Sequence, residues 1–508
     1  MDTDVVVVGA GPVGLMVACE LALVGVRARV LERRAAPRPH ARALSVHPRS
    51  VELLDQRGLL ERFLPLGRAV PGWHFAGLRT PLDFAALDSR HGYALVLAQT
   101  CTEALLEQRA RELGVEVCRG VEVVGVRQDG EGVEVLSRAS GGTETVRGRF
   151  VVGCDGGRSF VRRAAGIGFP GTEETLSGVL GDVAVVDPPP GALDAARERG
   201  VIVVPLEGGL TRFVYVDPER MRVPSCEPVT WEEFRGSLVR ITGSDCGVAG
   251  PRWLSRFGNA TRLAERYRAG RVLLAGDAAH IHFPAAGQGL NTGLQDAVNL
   301  GWKLAAEVKG WAPPGLLDSY DAERRPVGRS VTQNTEVQTL LAELTLVERY
   351  QRPAAALREL LERLLGMAEV NRWLAGQVSA LGTCYPPAAA GADPLVGRRM
   401  PDVGLTIPGS SARRVCELLV RGRFVLLALA GDPACGEVAL EEAVGAGWGS
   451  RVTAVTARTR DAHADLDGVV EVLIRPDGHV AWATRTPDAG ARAAERIRAL
   501  TAWAGTPS

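Results

Sequence analysis

Val5-Val6-Val7-Val8-Gly9-Ala10-Gly11-Pro12-Val13-Gly14 opens a stretch that runs to Glu32 and decides the fold. Val5–Val8 is a β-branched run without alternation, the pattern of a parallel strand buried on both faces. Gly9, Gly11 and Gly14 follow at G-x-G-x-x-G spacing, and a helical run begins with Pro12 and Val13, continues to about Val24 and ends at Gly25. Val26–Leu31 reads as the next strand, closing at Glu32. In this order each glycine has a reason: Gly9 permits a tight turn, Gly11 lets the backbone approach a pyrophosphate, and Gly14 lets helix and strand pack closely. The helix start offers free N–H groups and partial positive charge to phosphates. Glu32, 18 residues after Gly14, is placed to accept a hydrogen bond from a ribose hydroxyl. Strand, turn, helix, strand and acid predict a dinucleotide site. The motif itself does not choose between FAD and NAD.

The same stretch is nearly all apolar from 5 to 26, yet it reads as neither a signal peptide nor a membrane span. The chain opens Met-Asp-Thr-Asp, without a basic start, and the run carries glycines, a proline and Glu20. No membrane segment is expected elsewhere. The 508 residues, 46% hydrophobic and 23% charged, imply two to four domains and exclude disordered, collagen-like and coiled-coil chains. Lys plus Arg equals Asp plus Glu at 59 each, which argues against a nucleic-acid partner. Lys occurs only at 303 and 309, a bias of coding rather than of function. The nine Cys are scattered and form no C-x-x-C, as expected for reduced thiols in a cytoplasmic protein.

Two later segments extend the picture. Val151–Gly153 reads as a strand followed by Cys154-Asp155-Gly156-Gly157-Arg158-Ser159-Phe160-Val161-Arg162. Val272–Ala275 is another strand, followed by Gly276-Asp277-Ala278-Ala279-His280 and then Pro284-Ala285-Ala286-Gly287-Gln288-Gly289. A long helix then sets Leu290, Leu294, Val298, Gly301, Ala305 and Val308 on one face. Its Gly-rich start brings bare N–H groups against a flat ligand, where a positive helix end stabilises negative charge.

Gly9–Gly14, D-G-G-R-S-F-V-R at 155–162 and G-D-A-A-H-x-H…G-Q-G-L-N-T-G-L-Q-D-A-V-N-L-G-W-K-L at 276–304 resemble the FAD-dependent aromatic hydroxylases of the para-hydroxybenzoate hydroxylase fold. Within that class the chain is most similar to bacterial aromatic polyketide hydroxylases and rifampicin monooxygenases, from residue 1 to roughly 390. The resemblance implies an α/β (α+β multidomain) chain. A Rossmann-like FAD-binding domain (1–174 and 269–395, the latter with a helical segment) carries an inserted antiparallel β-sheet substrate domain (175–268). A thioredoxin-like C-terminal domain (396–508) follows.

The resemblance also assigns roles. Gly9, Gly11, Pro12, Val13, Gly14 and Glu32 hold the ADP half of FAD, with Arg33 beside the adenosine. Arg42 reaches the phosphates, Gln99 bonds the cofactor, and Val123 lies on the adenine side. Asp155 and Gly156 belong to the motif the family ties to both FAD and pyridine nucleotide. Asp277 bonds the ribitol and phosphate, while Pro284, Gly287 and Gly289 shape the turn in which Leu290 and Asn291 present N–H groups to the isoalloxazine. His280 and His282 have the look of a metal pair, but no third ligand is in reach and no metal is expected. The chain departs from the family at Phe283, where Pro is common, and at Ala286, where Gly is common; both changes are expected to reshape the pocket.

Between 174 and 268, Val179–Val186, Val201–Pro205 and Leu210–Val216 read as strands separated by Pro- and Gly-rich turns. Arg212, Phe213, Tyr215 and Phe283, with Trp231, are candidate contacts of a planar substrate; alternation of core and solvent faces accounts for the sheet residues equally well. Residues 316–380 are helical, with Leu340, Leu341, Leu344, Leu357, Leu360, Leu361, Leu364 and Leu365 expected in the core. In the last hundred residues Cys416 and Cys435 lie too far apart in sequence for a redox motif, so packing or assembly is expected there.

The function implied is that of a single-component monooxygenase: NADPH reduces bound FAD, O2 gives the C4a-hydroperoxyflavin, and one oxygen atom reaches a ring carbon of a polycyclic, polyketide-type aromatic. Baeyer–Villiger insertion on a similar polyketide is the alternative within enzymes; a flavin-fold binding protein without turnover is the alternative outside them. No second dinucleotide fingerprint is present, so NADPH is expected to bind only transiently. No catalytic base is identified, and the sequence leaves monomer or homodimer open.

Overall fold

Four consecutive valines set the centre of the largest sheet. In the computed structural model, which describes residues 1–386, 391–429, 440, 444–445 and 447–507, Val5–Val8 form β1 with no side chain more than 6% exposed. Helix α1 (Pro12–Leu23) follows, and β2 (Ala28–Glu32) returns parallel to β1. The second strand starts two residues later than the apolar run, because the Val26 N–H still closes the turn onto Leu21 O. Next come α2 (Pro48–Asp55), α3 (Gln99–Glu112), β3 (Glu116–Arg119) and β4 (Phe150–Gly153).

The antiparallel unit comprises β5 (Ser177–Val185), β6 (Ile202–Pro205), β7 (Leu210–Tyr215), α4 (Trp231–Thr242) and β8 (Val248–Gly258). Its strands lie in the order β6–β7–β5–β8, and α4 covers one face. Thr230 begins that helix, its hydroxyl accepting from the Glu233 N–H, and Gly243 ends it at φ +82°.

The chain then returns to the first sheet through β9 (Arg268–Ala269) and β10 (Val272–Leu274), giving the order β9–β10–β4–β1–β2–β3, parallel except for β9. Helix α5 (Gln288–Val308) lies along α1 with no room for larger residues at the crossing. A Cβ on Gly293 would stand 2.5 Å from Val13 Cγ2, and one on Gly301 2.4 Å from Glu20 Cβ.

Helices α6 (Ser319–Leu346), α7 (Gln351–Leu365) and α8 (Ala368–Ser379) follow. Leu341 and Leu365 are buried as expected, but Leu340, Leu357 and Leu360 are exposed. Neighbouring residues of a helix point about 100° apart, so Leu340 and Leu341 do not share one buried face. The last unit is a five-stranded sheet formed by β11 (Leu405–Thr406), β12 (Phe424–Leu429), β13 (Val452–Thr459), β14 (Glu471–Ile474) and β15 (Val480–Thr484), with α9 (Ala489–Ala504) after it. Its order β11–β13–β12–β14–β15 pairs β12 and β13 in parallel and adds an antiparallel hairpin, the thioredoxin-like arrangement. Cys416 is buried there, its thiol pushed up first by burial and then by Asp402, which makes it a poor nucleophile. Cys435 lies outside the described residues. Among the described residues no helix is long and apolar enough to cross a membrane.

Candidate active site

The turn between β1 and α1 is built around contacts only glycine allows. Gly9 sits at φ +105°, and a Cβ there would meet Cys154 O at 2.5 Å. A Cβ on Gly14 would meet Gly9 O at 2.0 Å. At Gly11 the same atom would have no described neighbour within 4 Å, so the loop is tight toward the protein and open toward a ligand. Among the described residues no side chain caps the first turn of α1, which leaves its N–H groups available to an anion. Glu32 braces this loop: its carboxylate accepts from the Ala10 N–H at 2.9 Å and the Arg34 N–H at 3.0 Å. Arg33 is exposed beside it. The Gln99 N–H donates to Ala43 O at 3.1 Å, and its amide donates to Glu103 at 2.7 Å. Val123 is buried in the main core, its strand following β3.

Asp155 caps the short helix Phe160–Ala164, accepting from the Phe160 and Val161 N–H groups at 2.7 and 3.1 Å and from the Ser159 hydroxyl. Gly156, at φ +84°, makes the turn beside it. Asp277 is solvent-accessible but crowded by the protein around the cleft; desolvation raises its pKa, and His280 and Arg42 offset this only in part. Arg42 donates to Ser255 Oγ at 3.1 Å and Arg256 O at 2.9 Å, which ties it to β8. Desolvation lowers its pKa while the charge of Asp277 opposes that, so a guanidinium and a carboxylate share this part of the cleft.

The second polar surface is the turn into α5. Ala286 and Gly287 both take left-handed conformations, at φ +53° and +70°, and a Cβ on Gly287 would stand 2.7 Å from Ser45 Oγ. Pro284 precedes them, exposed. Asn291 holds the turn in place: its Oδ1 accepts from the His47 N–H at 2.7 Å, and its Nδ2 donates to Ser45 O and Gly287 O at 3.1 and 2.9 Å. The Trp73 indole N–H adds a bond to Ala286 O at 2.9 Å. Leu290 is half-buried, and a Cβ on Gly289 would lie 3.5 Å from His282 Nε2. Among the described residues no side chain caps the start of α5 either. Deeper, Asp296 takes Arg324 at 2.7 Å, His280 at 2.8 Å and the Gly276 N–H at 3.2 Å, fixing helix and Gly276–Ala278 turn together.

Family models match on both sides of this geometry: "FAD binding domain" over residues 2–335 and "Aromatic-ring hydroxylase, C-terminal" over 393–507. The chain belongs to the FAD-dependent aromatic-ring hydroxylases. A 12-dehydrotetracycline 5-monooxygenase/anhydrotetracycline 6-monooxygenase of Streptomyces rimosus subsp. rimosus is 44% identical over the whole of both chains. A rifampicin monooxygenase of Streptomyces venezuelae is 44% identical over 99% of this chain and 98% of its own. The solved structure of OxyS anhydrotetracycline hydroxylase from Streptomyces rimosus superposes with a TM-score of 0.88 at 44% identity, covering both chains fully.

In this hydroxylase the sheet residues expected to touch substrate are otherwise engaged. Phe213 and Tyr215 project toward α4: both are buried, and the Tyr215 hydroxyl donates to Phe234 O at 2.9 Å. Trp231 stacks on Phe234 at 5.7 Å in the same cluster. Arg212 points the other way but is fully partnered by Asp182, at 2.6 and 2.7 Å, and by the carbonyls of Arg42 and Ala41. It therefore fastens β7 to the Arg42 segment rather than facing a ligand. Phe283 packs against Phe257 of β8 with ring centres 5.5 Å apart. Ser45, His47 and Trp73 were missed by sequence reasoning. They lie in short strands and turns where no periodicity marks them, though the nearness of Ser45 and His47 to Arg42 in the chain was a usable signal.

Proposed function

We propose that the protein is an NADPH- and O2-using FAD monooxygenase that hydroxylates a polycyclic aromatic of polyketide type. The observation that carries the reading is the pair of uncapped helix starts, α1 and α5, each preceded by a glycine turn, the first of them open at Gly11. That geometry fits a long ligand with phosphates at one end and a ring that gathers negative charge at the other. FAD supplies the redox chemistry when bound, taking reducing equivalents and activating oxygen.

The chain's own residues bind, orient and shield. The Gly9–Gly14 loop with Pro12 and Val13 receives the pyrophosphate, and Glu32 receives the ribose, with Arg33 alongside. Arg42 and Asp277 flank the middle of the ligand, near Gln99 and the Asp155–Gly156 turn. Pro284, Gly287, Gly289, Leu290 and Asn291 form the turn under the ring, and the N-terminus of α5 stabilises charge there. Phe257 and Phe283 give that region an apolar wall, which limits the water that would otherwise divert the reaction. The sheet β5–β8, within residues 175–268, roofs the substrate in this reading.

The test is NADPH oxidation by FAD-loaded protein with and without a panel of phenolic polyketides and rifamycins, with product masses. Substrate-stimulated oxidation and a phenolic product one oxygen heavier are expected. A ring-expanded ester instead would mean insertion. Bound flavin that no substrate helps to reduce would contradict the proposal.

A further inference from the structure

The hairpin Gly72–Trp73/Leu82–Asp83 carries His74 on a loop whose neighbours are all pinned. Trp73 bonds Ala286 O, and Phe75 is buried in the same apolar cluster as Ala286. The Ala76 N–H donates to Gln338 Oε1 at 3.0 Å, and Arg358 donates to the carbonyls of Ala76 and Gly77. His74 differs from these residues. Its ring lies 5.4 Å from that of Trp73, it is half-buried, and it has no hydrogen-bond partner among the described residues. Burial alone lowers its pKa to about 4, so at neutral pH it is an uncharged imidazole with an available acceptor nitrogen. Phe283, which leads into the turn that Trp73 anchors, packs against Phe257 of β8. An aromatic ligand at this turn would find an apolar wall in Phe257 and Phe283 and, in His74 beside Trp73, an imidazole with no partner of its own among the described residues.

We propose that His74 is a specificity-determining residue that accepts a hydrogen bond from a ring hydroxyl of the aromatic substrate and so fixes which carbon faces the flavin. The proposal rests on the reading of the site as one for hydroxylated polycyclic aromatics. It involves no proton or electron transfer: the hydroxyl keeps its proton and the imidazole stays neutral. A site with a desolvated acceptor favours a ligand carrying the matching O–H over the same ligand without it, because the acceptor is otherwise left unpaired.

The probes are 2-hydroxyanthraquinone and anthraquinone, titrated into FAD-loaded protein by tryptophan quenching and by the probe's visible band. Wild type is expected to prefer the hydroxylated probe by about tenfold, the scale of one hydrogen bond in a desolvated site. In His74→Leu the preference should fall to nearly one with anthraquinone affinity kept, and His74→Gln should restore part of it. A structural role would move both affinities together and leave the ratio alone. An unchanged ratio in His74→Leu, or no preference in wild type, overturns the proposal. Binding of neither probe by wild type overturns the polycyclic-aromatic reading and this proposal with it. If His74→Leu does not retain FAD, the comparison passes to His74→Phe, where an unchanged affinity ratio would likewise overturn the proposal.

Discussion

The two ends of α5 do opposite things with their polar groups. At its first turn the helix meets the cleft with an uncapped start, and the nearby imidazoles of His47, His74 and His282 are all held uncharged by burial, each near 4. About four turns later the same helix enters a buried ionic cluster. Lys303 donates to Glu323 at 2.7 Å, Arg475 forks onto Glu323 at 2.7 Å through both nitrogens, and Asp477 receives Arg475. Arg475 and Asp477 come from the loop between β14 and β15, so this cluster fastens the C-terminal unit to α5 and α6. Neutral groups gather at the cleft end, two of them bonded to carbonyls, His47 to Val378 O and His282 to Phe283 O. Charged, fully paired ones mark the surface that holds the molecule together, since an unpaired charge would not be tolerated in either place.

The largest expected effect comes from breaking the paired end. Arg475→Met leaves Glu323 and Asp477 buried with Lys303 as the remaining cation, and loss of one partner from such a cluster costs about 3–5 kcal/mol. Urea unfolding of the FAD-loaded protein measures it. The FAD content of the folded fraction should be unchanged, because the open end does not use these charges. A stability loss under about 1 kcal/mol would erase the contrast between the ends.

A medium effect separates neutral from charged groups by pH. His479 lies in the same loop, 4% exposed with its ring tilted against that of Tyr385 at 4.4 Å, and burial lowers its pKa from 6.5 to about 4 despite Asp477. Between those values the unfolded chain holds a proton that the folded chain does not. Stability therefore falls as pH drops from 6.5 toward 4. His479→Gln removes that term, and the pH dependence across this window should become shallower by about 1.4 kcal/mol per pH unit. The same slope in both proteins would mean that the imidazole is already charged when folded.

How far the sequence carried the reading follows the same division. The β1–α1–β2 unit and its glycines were legible because their geometry is local: Gly9 and Gly14 answer to backbone atoms of Gly9, Cys154 and their own turn. Period-two alternation located β5 and β7 but left open which face looks at the cleft, and Phe213 and Tyr215 proved to face α4. Glu323, Arg475 and Asp477 were invisible because Glu323 and Arg475 meet across 152 residues, and nothing in either neighbourhood announces a partner. His47, Trp73 and His74 failed for a related reason. They acquire meaning only from the turn at 284–287, which folds against them from more than two hundred residues away.

The smallest effect tests how rigidly the open end is specified. Ala286 holds a left-handed conformation at φ +53° and is completely buried. For an L-residue that conformation costs roughly 1–2 kcal/mol, which Ala286→Gly would relieve. The same change removes a buried methyl group, a loss of about 0.8 kcal/mol, from the cluster formed with Phe75, Leu82 and Phe84. The two terms nearly cancel, so stability should change by less than about 1 kcal/mol, with a slight gain favoured because strain is the larger. The Trp73 bond goes to the Ala286 carbonyl and survives the substitution, so the turn keeps its anchor. A loss above about 2 kcal/mol would show that the methyl wedges the turn against the aromatic cluster beyond its area, as cavity terms do. The ligand end of α5 would then be as tightly determined by packing as its other end is by charge.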